Sequence, residues 1–233
     1  IVELIVLFSV LILSPRGEKT PGGIRRYLVT QTIAMPFILL SGWMVAGIET
    51  APSASALILR GAMLILIGLS LWLAIFPLHS WLPMLAEKSQ PIVFSYIFLM
   101  QQTTVLLFLF KVLDHFFWLR SLSGIFQALQ WVGVWSLLAG GVLVSLQTRV
   151  DRILGYFILI ETGYSILAIG LISQGGADAL ALSFLPRALA LLQWSYTLSS
   201  VRQMEPDIDG SFASIRGLFY RLPFHSISLI ISL

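Results

Sequence analysis

Residues 71–90 read LWLAIFPLHSWLPMLAEKSQ, with Pro77 and Pro83 on either side of Leu78-His79-Ser80-Trp81. A proline removes one backbone donor and its ring clashes with the carbonyl a turn earlier, so a helix arriving from Ala56 must unwind or kink here. Apolar runs flank the break, Ala56–Phe76 before it and Ile92–Leu113 after it. Two readings follow. Discontinuous membrane helices present unsatisfied half-helix ends at ion and substrate sites, and His79 is the residue in this stretch able to exchange protons near neutral pH. The other reading is an interfacial turn with Trp81 in the headgroup belt. Both place the segment at a bilayer.

Composition agrees. Apolar residues make up 58% of the 233 and charged residues 11%, with a mean hydropathy of +0.92. A soluble domain carries roughly 25% charged residues, so this chain has too few to cover a globule. Cys is absent, which removes disulfides, zinc fingers, thiolate iron–sulfur clusters and c-type haem attachment. The three His, at 79, 115 and 225, are far apart, and there is no nucleotide-binding loop. No cofactor, metal, redox centre or nucleic-acid partner is therefore expected on this chain. The net charge of +3 says little about partners; where the charges fall says more.

Outward from the break, the long apolar runs are Ile1–Leu13 (incomplete), Tyr27–Ile48, Ala56–Phe76, Ile92–Leu113, Ile125–Leu146, Ile153–Ile172, Ala179–Leu198 and Leu222–Leu233 (incomplete). In lipid only a helix or a closed barrel satisfies its own backbone, and continuous runs argue against the short alternating strands of a barrel. The expectation is an all-α polytopic membrane helix bundle, one domain over residues 1–233. It has about six complete spans of roughly 20 residues each plus two truncated ones, with a broken helix near Pro77. Because the chain opens and closes inside apolar runs, it reads as a piece of a longer membrane protein. Arg16, Lys19, Arg25 and Arg26 crowd the loop after the first run, and every second loop from there adds Lys88, Arg149, Arg152, Arg202, Arg216 and Arg221. The opposite side has Arg60, Lys111 and Arg120, close to span ends where they can snorkel. Positive charge stays inside, so the loop 14–26 is expected to be cytoplasmic.

Ionisable groups at membrane depth are costly and point to function. Glu161 lies in the middle of Ile153–Ile172 and Arg187 in the middle of Ala179–Leu198. Counted from the turn near Gln174–Asp178, they lie about 11 and about 9 residues down, which at roughly 1.5 Å per residue leaves depths about 3 Å apart. They are placed to pair if both face one seam, either as a structural ion pair or as part of a proton relay. Pro186 frees a carbonyl one turn earlier, an alternative acceptor for Arg187. Pro36 reads as a kink without a chemical role. Glu3 reads as an interfacial residue, Lys111 as a snorkelling anchor, and Asp178 as an N-cap.

The segment Phe76-Pro77-Leu78-His79-Ser80-Trp81-Leu82-Pro83 closely resembles the P-L/F-H-x-W-L-P-D motif of the antiporter-like membrane subunits of respiratory complex I. Mrp cation/proton antiporters and membrane-bound hydrogenases share that motif. Residues 147–156, QTRVDRILGY, look like the family's Q-x-D-x-K-R-x-x-A-Y, and Gly163-Tyr164 matches its M-G-[YF]. Glu3 with Tyr27 and Gln31 resembles the family's glutamate helix and the Y-x-Q helix after it. The blocks come in family order and cover nearly the whole chain, from the family's fifth span to the start of its twelfth.

The resemblance implies a proton-translocating membrane module of a complex I-type NADH:quinone oxidoreductase in the bacterial plasma membrane. Its partners would be the other membrane subunits, the bilayer and protons, with hydride chemistry on other subunits. Glu3, His79, Glu161 and Arg187 are then the candidate proton path. The resemblance also marks departures. The relay lysine five residues before Pro77 is Trp72, the next relay position falls near Thr103 or Thr104, and the aspartate after Pro83 is Met84. Glu161 and Arg187 stand where the family has histidines. A degenerate, non-conducting scaffold subunit is therefore the alternative, and a subunit of an Mrp-type antiporter or a membrane-bound hydrogenase is a third. Wet lining around Trp72 and Thr104 would favour conduction; dry packing would favour the scaffold.

Overall fold

The computed structural model describes residues 2–13, 22–50, 55–115, 123–204, 210–212 and 218–231. Among these, ten α-helices carry the fold: α1 Val2–Leu13, α2 Gly22–Thr50, α3 Ser55–Trp72, α4 Trp81–Lys88, α5 Pro91–His115, α6 Ser123–Ser145, α7 Val150–Gly170, α8 Gly176–Met204, α9 Leu218–Arg221 and α10 Pro223–Ile231. Among the described residues each apolar run read from the sequence contains a helix, but Ala56–Phe76 is helical only as far as Trp72, because the Pro77 ring leaves no room for the carbonyl of residue 73 in a helix. The boundaries moved outward for α2 and α8, because polar first and last turns extend both beyond their apolar centres. Asp178 accordingly sits inside the first turn of α8. It is not the N-cap expected from the sequence, although its charge still faces the positive end of the helix dipole. Pro36 and Pro186 lie inside helices that continue past them.

The break falls where the two prolines put it. α3 ends at Trp72, and α4 begins at Trp81. Between them Ala74 adopts a positive φ of 52° and the Phe76–Pro77 peptide is cis. The Leu82 N–H donates to the His79 carbonyl at 2.9 Å, closing the first turn of α4. α3 and α4 together run antiparallel to α2. A Cβ on Gly68 of α3 would meet the Ile38 side chain, while a Cβ on Gly23, at the start of α2, would meet the backbone of Met84 and Leu85 in α4. The interrupted pair thus fills the place of one helix.

Small residues set the closest approaches. A Cβ on Gly155 of α7 would lie 2.7 Å from Pro83 Cα, and one on Gly133 of α6 would lie 2.7 Å from Leu167 N in α7. Helix association in lipid relies on such close backbone packing because the acyl chains are as apolar as leucine. The outward faces expose Leu39, Trp43, Trp131, Trp135, Leu138 and Leu182, whereas Gln31, Gln101, Ser136, Asp151 and Thr162 are buried. This is the polarity of a lipid-embedded bundle. Among the described residues, four helical stretches are long and apolar enough to cross a membrane: Gly22–Met44, Pro91–His115, Gly124–Ser145 and Val150–Gly170. The apolar part of α3, Leu59–Trp72, is shorter than that. α8 is long enough, but Asp178, Arg187 and Arg202 dilute its hydropathy.

Candidate functional site: the Glu161–Arg187 pair and the interrupted helix

Glu161 on α7 and Arg187 on α8 meet across the seam, with Arg187 Nη1 3.1 Å from Glu161 Oε2. The adjacent antiparallel helices and the tight turn at Gly175 (φ 84°) bring the two to one depth. Both side chains remain about one-fifth exposed. Arg187 is held on two further sides. Its Nε donates to the Ser183 carbonyl at 3.2 Å, and its guanidinium carbon lies 3.9 Å from the centre of the Tyr164 ring. The carbonyl engaged is one residue on from the one that Pro186 leaves without a donor. Arg187 therefore meets Glu161 as expected, while the carbonyl it engages is that of Ser183 and not the one that Pro186 frees. Tyr164 Oη lies 3.2 Å from Ser183 Oγ, whose own proton goes to the Ala179 carbonyl at 2.6 Å, so Tyr164, in the Gly163-Tyr164 motif, ties the arginine and the serine together.

A second polar chain runs through the interior beside Trp72. Ser9 Oγ and Tyr27 Oη share a hydrogen bond at 2.9 Å, and Tyr27 Oη is 2.9 Å from Gln101 Oε1. Gln101 Nε2 then donates to the Trp72 carbonyl at 3.2 Å, and Gln31 Nε2 reaches the same carbonyl at 3.4 Å. That carbonyl lies at the end of α3, where backbone N–H groups of the break reach the Leu69, Ser70 and Leu71 carbonyls and the glutamines reach that of Trp72. Two glutamine amides thus satisfy the last carbonyl of α3. The signal was present in the sequence as Tyr27, Gln31 and Gln101 inside apolar runs, but their convergence on one carbonyl required the fold. The Trp72 ring packs edge-on against Phe108, with centroids 6.3 Å apart. Thr104 and Thr103 donate to Met100 O and Leu99 O of their own helix, at 2.8 and 2.7 Å, which leaves neither hydroxyl free to donate across the seam.

The lining at this level is mixed. The indole N–H groups of Trp72 and Trp81 are buried without a partner among the described residues. Both residues line a cavity of about 10 Å³ shared with Gln101, Gln102 and Thr162, room for about one water. His79 is buried on the other side of the break, stacked on Phe76 at 5.5 Å and 6.0 Å from Tyr156, centroid to centroid. Glu3 lies in α1, but its side chain is outside the described residues, as is the loop 14–21.

Sequence reasoning did not foresee an ion cluster at one end of the bundle. Asp151, fully buried at the start of α7, pairs with Arg202 of α8 at 2.5 Å and with Arg149 at 3.9 Å. Glu87 of α4 pairs with Arg149 at 3.4 Å and Arg152 at 2.8 Å. Arg202 also donates to the Ser89 carbonyl at 3.0 Å. The segment 210–212 closes the cluster: Val150 N–H donates to Gly210 O and Phe212 N–H to Thr148 O. A Cβ on Gly210 would fall on the Asp151 carboxylate. Four of these charges were read from the sequence only as loop positives and motif letters. Among the described residues there is no group of three His, Cys, Asp or Glu suited to a metal.

An interrupted helix, a buried polar chain at its break and a charge pair between two helices of an apolar bundle mark an integral membrane subunit. Residues 27–233 match the family described as NADH:quinone oxidoreductase/Mrp antiporter, TM, and the chain belongs to that family. It is 27% identical over 216 residues to NADH-quinone oxidoreductase subunit N of Ectopseudomonas mendocina (strain ymp), covering 85% of this chain and 42% of that protein. It is 26% identical over 193 residues to NADH-quinone oxidoreductase subunit N 1 of Streptomyces griseus subsp. griseus, covering 80% and 38%. The chain thus spans about two-fifths of the length of these relatives. Among solved structures, a chain of the membrane-bound sulfane sulfur reductase, an archaeal respiratory membrane complex, has the same fold. The TM-score is 0.83 at 19% identity, over 99% of this chain and 50% of that one.

Proposed function

We infer that this chain is the antiporter-like module of a membrane subunit in a complex I-type NADH:quinone oxidoreductase of a bacterial plasma membrane. The module has about six complete spans and its loop 14–26 lies in the cytoplasm. Within the complex it acts as a membrane-arm scaffold whose own Trp72–Thr104 section carries no proton relay. One observation carries this reading: the Trp72 indole, packed edge-on against Phe108, stands where the resemblance places a titrating lysine, and the Gln31 and Gln101 amides beside it are tied to the Trp72 carbonyl. Neither an indole nor an amide takes up and releases a proton as a lysine does. Glu161 and Arg187 are then a structural pair that compensates two desolvation costs.

A second reading has one feature in its favour. The small cavity beside Trp72, with two unpartnered indole N–H groups and Gln102 at its wall, suits a water, and hydrated sections conduct protons. Reconstituted vesicles of the whole complex separate the two. The scaffold reading expects Glu161→Gln, Glu3→Gln and the pair Glu161→Gln/Arg187→Gln to leave protons pumped per electron unchanged. Loss of pumping in a fully assembled complex would overturn it in favour of conduction through Glu3, His79 and Glu161. Co-purification with quinone-oxidoreductase subunits, as opposed to Mrp or hydrogenase subunits, tests the parent complex.

A further inference from the structure

We propose that the groove between the start of α2 and the helix break is a binding site for one anionic glycerophospholipid, whose phosphate sits on Arg25 and Arg26. The groove measures about 390 Å³, within the usual range of about 300–1,000 Å³ for ligand sites. Its polar end is formed by Arg25, Arg26 and Ser80, and its apolar wall by Val29, Leu71 and Leu78. Both arginines are exposed. Among the described residues neither is paired with a carboxylate; the one side-chain partner is the Met84 sulfur, 3.2 Å from Arg26. This differs from the far end of α4, where Arg149, Arg152 and Arg202 all meet acids. Two guanidiniums without a counter-charge form a fork suited to phosphate oxygens.

The apolar wall decides for a lipid over an acidic peptide or free phosphate. α2 is long and apolar enough to cross the membrane from Gly22, so Arg25 and Arg26 lie one turn inside its end, at headgroup level. Deeper along the same face, Val29, Ile33 and Leu40 are exposed in sequence. Charge at the interface with an apolar stripe beneath it is the amphiphile's own pattern, and basic pockets between membrane helices hold anionic headgroups. Pro77, Leu78 and Ser80 of the break form the facing wall. A lipid seated there therefore touches α2 and the interrupted helix together.

The test uses the full-length subunit in its detergent-purified complex, stripped of lipid and titrated with phosphatidylglycerol or phosphatidylcholine while retained lipid is read by native mass spectrometry. The expected result is at least a tenfold preference for phosphatidylglycerol. Each arginine contributes about fivefold, so Arg25→Gln/Arg26→Gln lowers affinity about 25-fold. Arg60→Gln, away from the groove, keeps the preference. Val29→Gln, which leaves every charge in place, weakens phosphatidylglycerol binding and serves if the double arginine variant does not assemble. Equal affinity for the two lipids overturns the proposal, as does a preference that survives Arg25→Gln/Arg26→Gln. Displacement of the lipid by equimolar glycerol phosphate would assign the site to a soluble phosphate. Loss of a neighbouring subunit with the lipid preference intact would assign the arginines to an acidic partner.

Discussion

Glu161 and Arg187 show how one residue pair depends on its surroundings in lipid. Each alone is a charge away from water, and each is tolerated because the other lies 3.1 Å away with Tyr164 beneath the guanidinium. Removing one member of a buried pair leaves the other uncompensated, at a cost of about 3 kcal/mol or more, whereas removing both is often close to neutral. Arg187→Gln in the full-length subunit should therefore lower its thermal midpoint clearly, and Glu161→Gln/Arg187→Gln should restore most of the loss. Equal midpoints for the single and double variants would show that the pair is not coupled. Trp72 gives the complementary lesson. Its side chain is a packing element, and the group that matters at this position is its backbone carbonyl, which any residue supplies.

At the scale of elements, the interrupted helix is held by its neighbours and not by its own turns. α4 has eight residues, far below the roughly 12–15 at which an isolated helix becomes stable. Its position comes from Gly155 of α7, which lets Pro83 approach, and from Gly23 of α2, which admits Met84 and Leu85. The ion cluster then ties Glu87 at its far end to Arg149 and Arg152. Gly155→Leu should push α4 off α7 at a cost of about 1–3 kcal/mol or more, since packed interiors do not absorb added methylenes. The expected readout is faster hydrogen exchange in residues 81–88 with α6 and the α6-facing side of α7 unchanged. Uniform exchange across the bundle, or none, would show that the glycine does not set this approach.

For the whole molecule, orientation is the property most open to direct measurement. If the positive loops stay inside, Lys88 is expected inside the cell and the turn at Gln174 outside. Both positions are exposed, and the 233 residues contain no Cys, so a single introduced thiol in this region reports cleanly. A membrane-impermeant maleimide should label Gln174→Cys in intact cells and Lys88→Cys only after lysis. The reverse pattern would invert the topology. The same arrangement places the ion cluster of Glu87, Asp151 and Arg202 at the Lys88 end of the bundle, where loops meet water and charge is cheapest to hold.

Much of this was legible along the chain. The apolar runs set the helices because lipid leaves the backbone no other way to satisfy itself. Pro77 and Pro83 located the break because a missing donor and a ring clash are local, and counting residues brought Glu161 and Arg187 to one depth. The tertiary structure decided what local rules do not contain: that Gln31 and Gln101 meet on one carbonyl, that Asp151 is buried among arginines from distant segments, and that Arg25 and Arg26 stand over an apolar wall formed by the break. Such contacts join residues far apart in sequence, and whether two polar groups meet depends on helix rotation and crossing, which packing sets and composition does not.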